Sequence, residues 1–205
     1  MTVNAVDDRE LERFRRLCRQ LSLKPVVLAQ ADAAPIQPMA CSRVAGTLAS
    51  AQTQAQAIQS QLEQGGFQVS RVKIEAPPWS PNAPAADPHL SERSDSRYFE
   101  YQARLLVPAT ADELALAAMC RQLKAHLSRA TMRRADGHSE RFVTLRSHTA
   151  GHETFAARAR DLALALATAG YVILASAIEY CVYDSNLRLD AAWFGDEGES
   201  RERSA

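Results

Sequence analysis

A chain that repeats itself at a fixed interval folds as copies of one unit, and this sequence repeats itself after roughly one hundred residues. Cys18-Arg19-Gln20-Leu21 recurs 102 positions later as Cys120-Arg121-Gln122-Leu123. Further along, the shift becomes 104. Gly66-Phe67 falls on Gly170-Tyr171, Ile74-Glu75 on Ile178-Glu179, and Trp79-Ser80-Pro81-Asn82 on Tyr183-Asp184-Ser185-Asn186. A loop between the two blocks absorbs the difference of two. The helical patterning agrees. Leu48, Ala51, Ala55, Ile58 and Leu62 form one apolar stripe, and adding 104 to the last four gives Phe155, Ala159, Leu162 and Leu166. In the first helix Leu11, Phe14, Leu17, Cys18 and Leu21 share a face. Leu114, Ala117, Ala118 and Leu123 are the face expected of its counterpart. Each second helix stops at glycine, Gly65-Gly66 or Gly170, and strand-like residues follow.

The second copy reads in full. RYFEYQARLLVP is a strand, ADELALAAMCRQLK a helix with Thr110 as the expected N-cap, and AHLSRATM and RFVTLRSHT a hairpin turning at Asp136-Gly137. A helix from about His152 to Ala169 and a last strand complete the order β-α-β-β-α-β, the ferredoxin-like split βαβ motif. The expected fold class is therefore α+β, with two tandem ferredoxin-like modules from an internal duplication. The first module, residues 1–82, lacks most of its first strand. A proline-rich linker, 83–96, leads to the second module, 97–186, and a polar extension, 187–205, ends the chain. A short first strand leaves a sheet edge to cover. NLRLDAAWF, with Leu187, Leu189, Trp193 and Phe194, is the segment expected to cover it.

Lys+Arg and Asp+Glu both total 24, so there is no basic excess for gripping phosphates along a nucleic acid. No apolar run reaches the roughly 18–20 residues of a membrane span, and the N-terminus lacks a secretory pattern. Cys18, Cys41, Cys120 and Cys181 lie far apart and read as reduced thiols of a cytoplasmic protein.

Strand alternation identifies the candidate site. On the first strand of the second module, Phe99, Tyr101, Ala103, Leu105 and Val107 point one way, and Glu100, Gln102 and Arg104 the other. Thr144, Arg146 and His148 share a face of the hairpin, as do Glu179 and Tyr183 of the last strand. The face away from the helices should collect these eight residues in a wet cleft. Nearby lie His126, His138 and His152 and Arg129, Arg133, Arg134 and Arg141, so the hairpin reads as an anion-binding surface. On this reading Arg146 is mainly exposed, and its loss would weaken binding without disturbing the fold.

Two motif resemblances are partial. HLS (126–128) and HET (152–154) match the H-x-[ST] pattern of two-histidine phosphoesterases, but both lie in one module. FEYQARLLV resembles the E-x-E-x-K strand of the CYTH triphosphate-processing family at Glu100, with Gln102 and Arg104 replacing the second glutamate and the lysine. Neither fixes a family. The expected function is binding or regulation through a small anionic ligand on the second module. The alternatives are a phosphoester-processing enzyme, with His148 or Glu179 as base and Arg146 and Arg104 as clamps, and an interaction module that forms a homo-oligomer through its sheet edges. No cofactor or metal is indicated.

Overall fold

The structure, a computed structural model, describes residues 1–4, 7–30, 37–88, 96–135 and 138–189, with the side chains of 28–30 and 129–135 left aside. The elements are β1 (Thr2–Val3), α1 (Asp8–Gln20), β2 (Lys24–Gln30), β3 (Gln37–Cys41), α2 (Leu48–Gln64), β4 (Val69–Arg71), β5 (Lys73–Ala76), β6 (Tyr98–Pro108), α3 (Glu113–Gln122), β7 (Ala125–Ala135), β8 (His138–Ser147), α4 (His152–Thr168) and β9 (Val172–Asp184). The chain is mixed α+β with four helices among the described residues, and every strand pairing is antiparallel. None of the helices is long and apolar enough to cross a membrane.

The strand order is β4-β1-β3-β2-β7-β8-β6-β9-β5. Its first four and the next four strands have mirror-related orders, and β2 joins β7 where the halves meet. The two outermost strands, β4 and β5, are consecutive in the chain with Val72 alone between them. β4 pairs with β1 of the N-terminal half, and β5 pairs with β9 of the C-terminal half. One bent segment thus links both ends of the sheet and closes it. Counted this way the ring has eight strands, a size whose interior side chains roughly fill.

Each half has its own apolar core between its helices and its strands. Val3, Phe14, Cys18, Leu23, Ala40, Ile58, Leu62 and Phe67 form the first. Phe99, Tyr101, Ala103, Leu105 and Val107 of β6 pack under Leu116 and Cys120 of α3 and Phe155, Ala159, Leu162 and Leu166 of α4 in the second. The turns match as closely. Ser22 and Lys124, 102 apart, are left-handed non-glycine residues with φ of 57° and 56°. Gly66 and Gly170, 104 apart, follow α2 and α4 with φ of 81° and 87°. After each of those glycines an N–H returns to the helix, from Phe67 to Leu62 and from Tyr171 to Leu166.

Several sequence expectations are corrected. The buried face of α3 is Leu116 and Cys120, the 102-residue images of Phe14 and Cys18, while Leu114 is 80% exposed. Asp112 caps α3 in place of Thr110, because its carboxylate accepts the Leu114 and Ala115 N–H groups. The linker is partly docked. Pro84 and Ala85 carbonyls accept the His152 and Glu153 N–H groups, and Asp87 accepts that of Gly151. The linker thereby satisfies the first turn of α4, which has no side-chain cap of its own. A Cβ on Gly151 would lie 2.1 Å from the Ala86 backbone, so the approach needs glycine. β1 is rudimentary as expected, but β7 supplies the neighbour at β2, and Leu187–Leu189 form a helical turn instead of a strand. Asp136-Gly137, Trp193 and Phe194 lie outside the described residues.

The α3 correction has a direct check. Leu116→Ala should cost about 2–5 kcal/mol as a buried truncation, whereas Leu114→Gln should stay within about 0.5 kcal/mol. Urea denaturation of both variants would show whether the stripe follows Leu116 or Leu114.

Candidate functional site

The register of β6 against its neighbours determines which polar side chains meet. Glu100 lies opposite Arg146 on β8 and Glu179 on β9, and Gln102 opposite Thr144 and Ala177. All of these turn away from the helices. Closure of the sheet makes much of that face an interior. Glu100, Thr144 and Arg146 are buried, so the expected open wet cleft does not exist at this end. Gln102, Arg104 and Glu179 are only half-buried, and the face opens towards them.

Glu100 is saturated. One carboxylate oxygen accepts Arg146 Nε at 3.0 Å and Nη2 at 2.7 Å. The other accepts Lys73 Nζ at 2.7 Å and Gln102 Nε2 at 3.2 Å. Lys73 also meets Glu75 at 2.6 Å. Burial alone would raise the Glu100 pKa, but the charges of Lys73 and Arg146 and their hydrogen bonds hold it below the ordinary carboxylate range. Burial opposes the Lys73 charge, yet Glu100 and Glu75 raise its pKa overall.

Tyr98 ties this cluster to a second one. The Arg146 guanidinium lies 4.1 Å from its ring centroid and Lys73 Nζ 5.4 Å. The Tyr98 hydroxyl donates to Asp184 Oδ2 at 2.7 Å and accepts from Arg71 Nη2 at 3.1 Å. Arg71 grips both Asp184 oxygens, Nε at 2.9 Å to Oδ1 and Nη2 to Oδ2. Burial would raise Asp184, but the Arg71 and Tyr98 hydrogen bonds and the Arg71 charge bring it to about 2. The two clusters therefore join β4, β5, β6, β8 and β9 at the point where the sheet closes.

The remaining predicted residues are dispersed. Arg104 makes a loose 3.6 Å pair with Glu140. Tyr183 is 39% exposed and opposes Ile74 at a bulge. His148 lies 4.9 Å from the Tyr98 ring. Arg141 is buried on the other face and bonded to Glu113 at 2.5 Å. The side chains of Arg129, Arg133 and Arg134 lie outside the described ones. Arg141 and Arg146 thus pair with carboxylates of the chain itself, Glu113 and Glu100, which corrects the expected exposure of Arg146. Among the described residues no group of three or more His, Cys, Asp or Glu side chains could hold a metal ion.

Glu179 differs from Glu100. It has no hydrogen bond or ion pair among the described residues, and burial, Glu75 and Glu100 push its pKa up against the pull of Lys73 and Arg43. Beyond the Tyr98 end of the face, a cavity of about 230 Å³ opens between the linker and the sheet. Its lining includes Asn82, Pro84, Arg97, Tyr98, Ser147 and His148. Arg97 is exposed and meets no carboxylate among the described residues.

Sequence reading missed Lys73, Tyr98, Arg71, Asp184 and Arg97. Tyr98 shares the parity of Glu100, so alternation alone places it on this face. No local signal pairs Arg71 with Asp184, 113 residues away. No family model, curated protein or solved structure matches the chain.

Three substitutions test these charges. Arg146→Ala leaves Glu100 buried and half-paired, so it should destabilise by about 3–5 kcal/mol. Asp184 contributes stability that is complete above its ordinary pKa of 3.8 and is lost as pH falls through about 2. An Asp184→Asn variant should therefore differ in stability from wild type less at pH 2 than at pH 6, measured by urea titration. Glu179 has the opposite sign. Its raised pKa means stability present below the ordinary value of 4.5 and lost as pH rises through the folded pKa. Glu179→Gln should raise Tm at pH 7 and leave it unchanged at pH 4. A lowered Tm at pH 7 would show that the charge is stabilising.

Proposed function

We propose that this chain is a cytoplasmic binding or regulatory protein that takes a small anionic ligand at the Tyr98–His148 end of its polar sheet face. We further propose that residues 1–82 and 97–186 are duplicated ferredoxin-like modules. The mirrored strand orders and the paired left-handed turns support the duplication. The unpaired thiols of the four cysteines suit a reducing compartment.

The observation that carries the ligand reading is the distribution of compensated charge. Arg71, Lys73, Arg141 and Arg146 are matched by Asp184, Glu75, Glu113 and Glu100. Arg97 lines the cavity without such a partner among the described residues, beside His148, Ser147 and Asn82. An arginine with a histidine and an amide side chain beside it suits anion recognition. At about 230 Å³ the cavity is smaller than the roughly 300–1,000 Å³ of drug-sized sites, so the ligand is small.

Calorimetry with phosphate, nucleoside monophosphates and small aromatic carboxylates tests this. A charge-assisted contact contributes about 1.5–3 kcal/mol, so Arg97→Ala should weaken binding by about 10- to 150-fold with Tm unchanged. Absence of binding by wild type at millimolar anion, or equal binding by the variant, would refute it.

The enzyme reading draws support from Glu179, a half-buried carboxylate with a raised pKa and no hydrogen bond among the described residues, which suits a general base. Turnover of a phosphoester panel that Glu179→Gln abolishes would favour catalysis over binding.

A further inference from the structure

β9 has a free edge. On one side it pairs with β6 along Val172–Cys181, but on the other side β5 reaches only Tyr180–Asp184. The reason is in the sequence: β5 runs into Pro77-Pro78, and proline has no N–H to continue a ladder. From Val172 to Ile178 the strand has no other partner among the described residues. Val172 is 56% and Leu174 41% exposed, and Ala175, Ser176 and Ala177 are exposed too. The stretch VILASAI carries no charge, proline or glycine. Proteins normally blunt such an edge with charge or proline, bend it with a bulge, or cover it; here the one such device is a bulge at Leu174, between the Ile173–Leu105 and Ala175–Arg104 pairs.

We propose that this edge is a dimerisation surface on which a second copy of the chain adds its own β9 in antiparallel register. An antiparallel strand pair is its own two-fold partner, so the same patch serves both subunits. Fullest overlap of the seven residues puts the axis at Ala175. Val172 then faces Ile178, Ile173 faces Ala177 and Leu174 faces Ser176, and no like charges meet. Alternate backbone N–H and C=O groups along the stretch gain the ladder partners that the described residues of one copy do not supply. The pairing fuses the two rings into one continuous sheet. It leaves Arg97, His148 and the cavity at the other end of β6 free, so it is independent of the ligand reading.

The two-fold makes the test specific to residue 175. Sedimentation and light scattering of the full chain should show a concentration-dependent dimer. Ala175→Lys places two lysines opposite each other and should weaken dimerisation at least tenfold, as should Ala175→Glu. Mixing the two variants should restore a heterodimer as stable as the parent. Both substitutions are at an exposed position, and unchanged Tm would confirm that each variant is folded. Ala175→Cys should cross-link on mild oxidation, since paired strands hold Cα atoms about 4.5–5.5 Å apart, within disulfide range. Gln56→Cys on the exposed face of α2 should not. A monomer at several hundred micromolar would overturn the proposal. So would a dimer indifferent to Ala175→Lys, failure of the mixed variants to associate, or equal cross-linking at Gln56. Protection of the 172–178 amides from exchange in a monomer would also overturn it, by showing the edge covered from within the chain.

Discussion

A carboxylate removed from water must be given charges and donors in return, and Glu100 receives them from three directions. Arg146 comes from the adjacent strand and Gln102 from two residues along. Lys73 comes from β5, whose chain arrives from the other half of the molecule. Had β5 paired elsewhere, Glu100 and Arg146 would remain together, but Lys73 would not reach Glu100. Tyr98 extends this dependence to Arg71 and Asp184, so the last residue of β4 and the last residue of β9 are fixed by the same group. The polar interior therefore specifies which strand closes the sheet, a task that apolar contacts do loosely. Such groups contribute more to choosing one arrangement than to net stability, because desolvation offsets much of their attraction.

Closure also explains the two characters of the polar face. At the Asp184 end β5 covers β9, and the interior is filled by the paired charges. Towards Val172 the prolines end β5, the face opens, and Gln102, Arg104 and Glu179 are only half-buried. One bend at Val72 and one pair of prolines thus separate a structural core of charges from surfaces that remain available to partners.

Part of this fold was legible because its constraints are local. The shifts of 102 and 104 foretold helix stripes and helix ends, and they pair the left-handed Ser22 with Lys124 and Gly66 with Gly170. Applied strictly, the 102 shift maps Phe14 onto Leu116. Choosing Leu114 instead followed apolar character over register. Alternation correctly put Glu100, Gln102, Arg104, Thr144 and Arg146 on one face, but it carries no information on what lies across that face. Arg146 was therefore read as exposed, although it is 5% accessible. The linker was read as irregular because its composition is, whereas its carbonyls cap α4 through contacts more than sixty residues apart in sequence. The Arg71–Asp184 pair spans 113 residues and leaves no periodic trace in either strand.

The central claim is that the charged closure makes the two halves one cooperative unit. Native-state hydrogen exchange measures this directly. The slowest amides of the N-terminal core, around Phe14 and Leu62, should open with the same free energy as those around Cys120 and Leu162. Both sets should fall by the same amount in Lys73→Met. A lower, separate opening energy for the N-terminal set, unaffected by that substitution, would contradict the account.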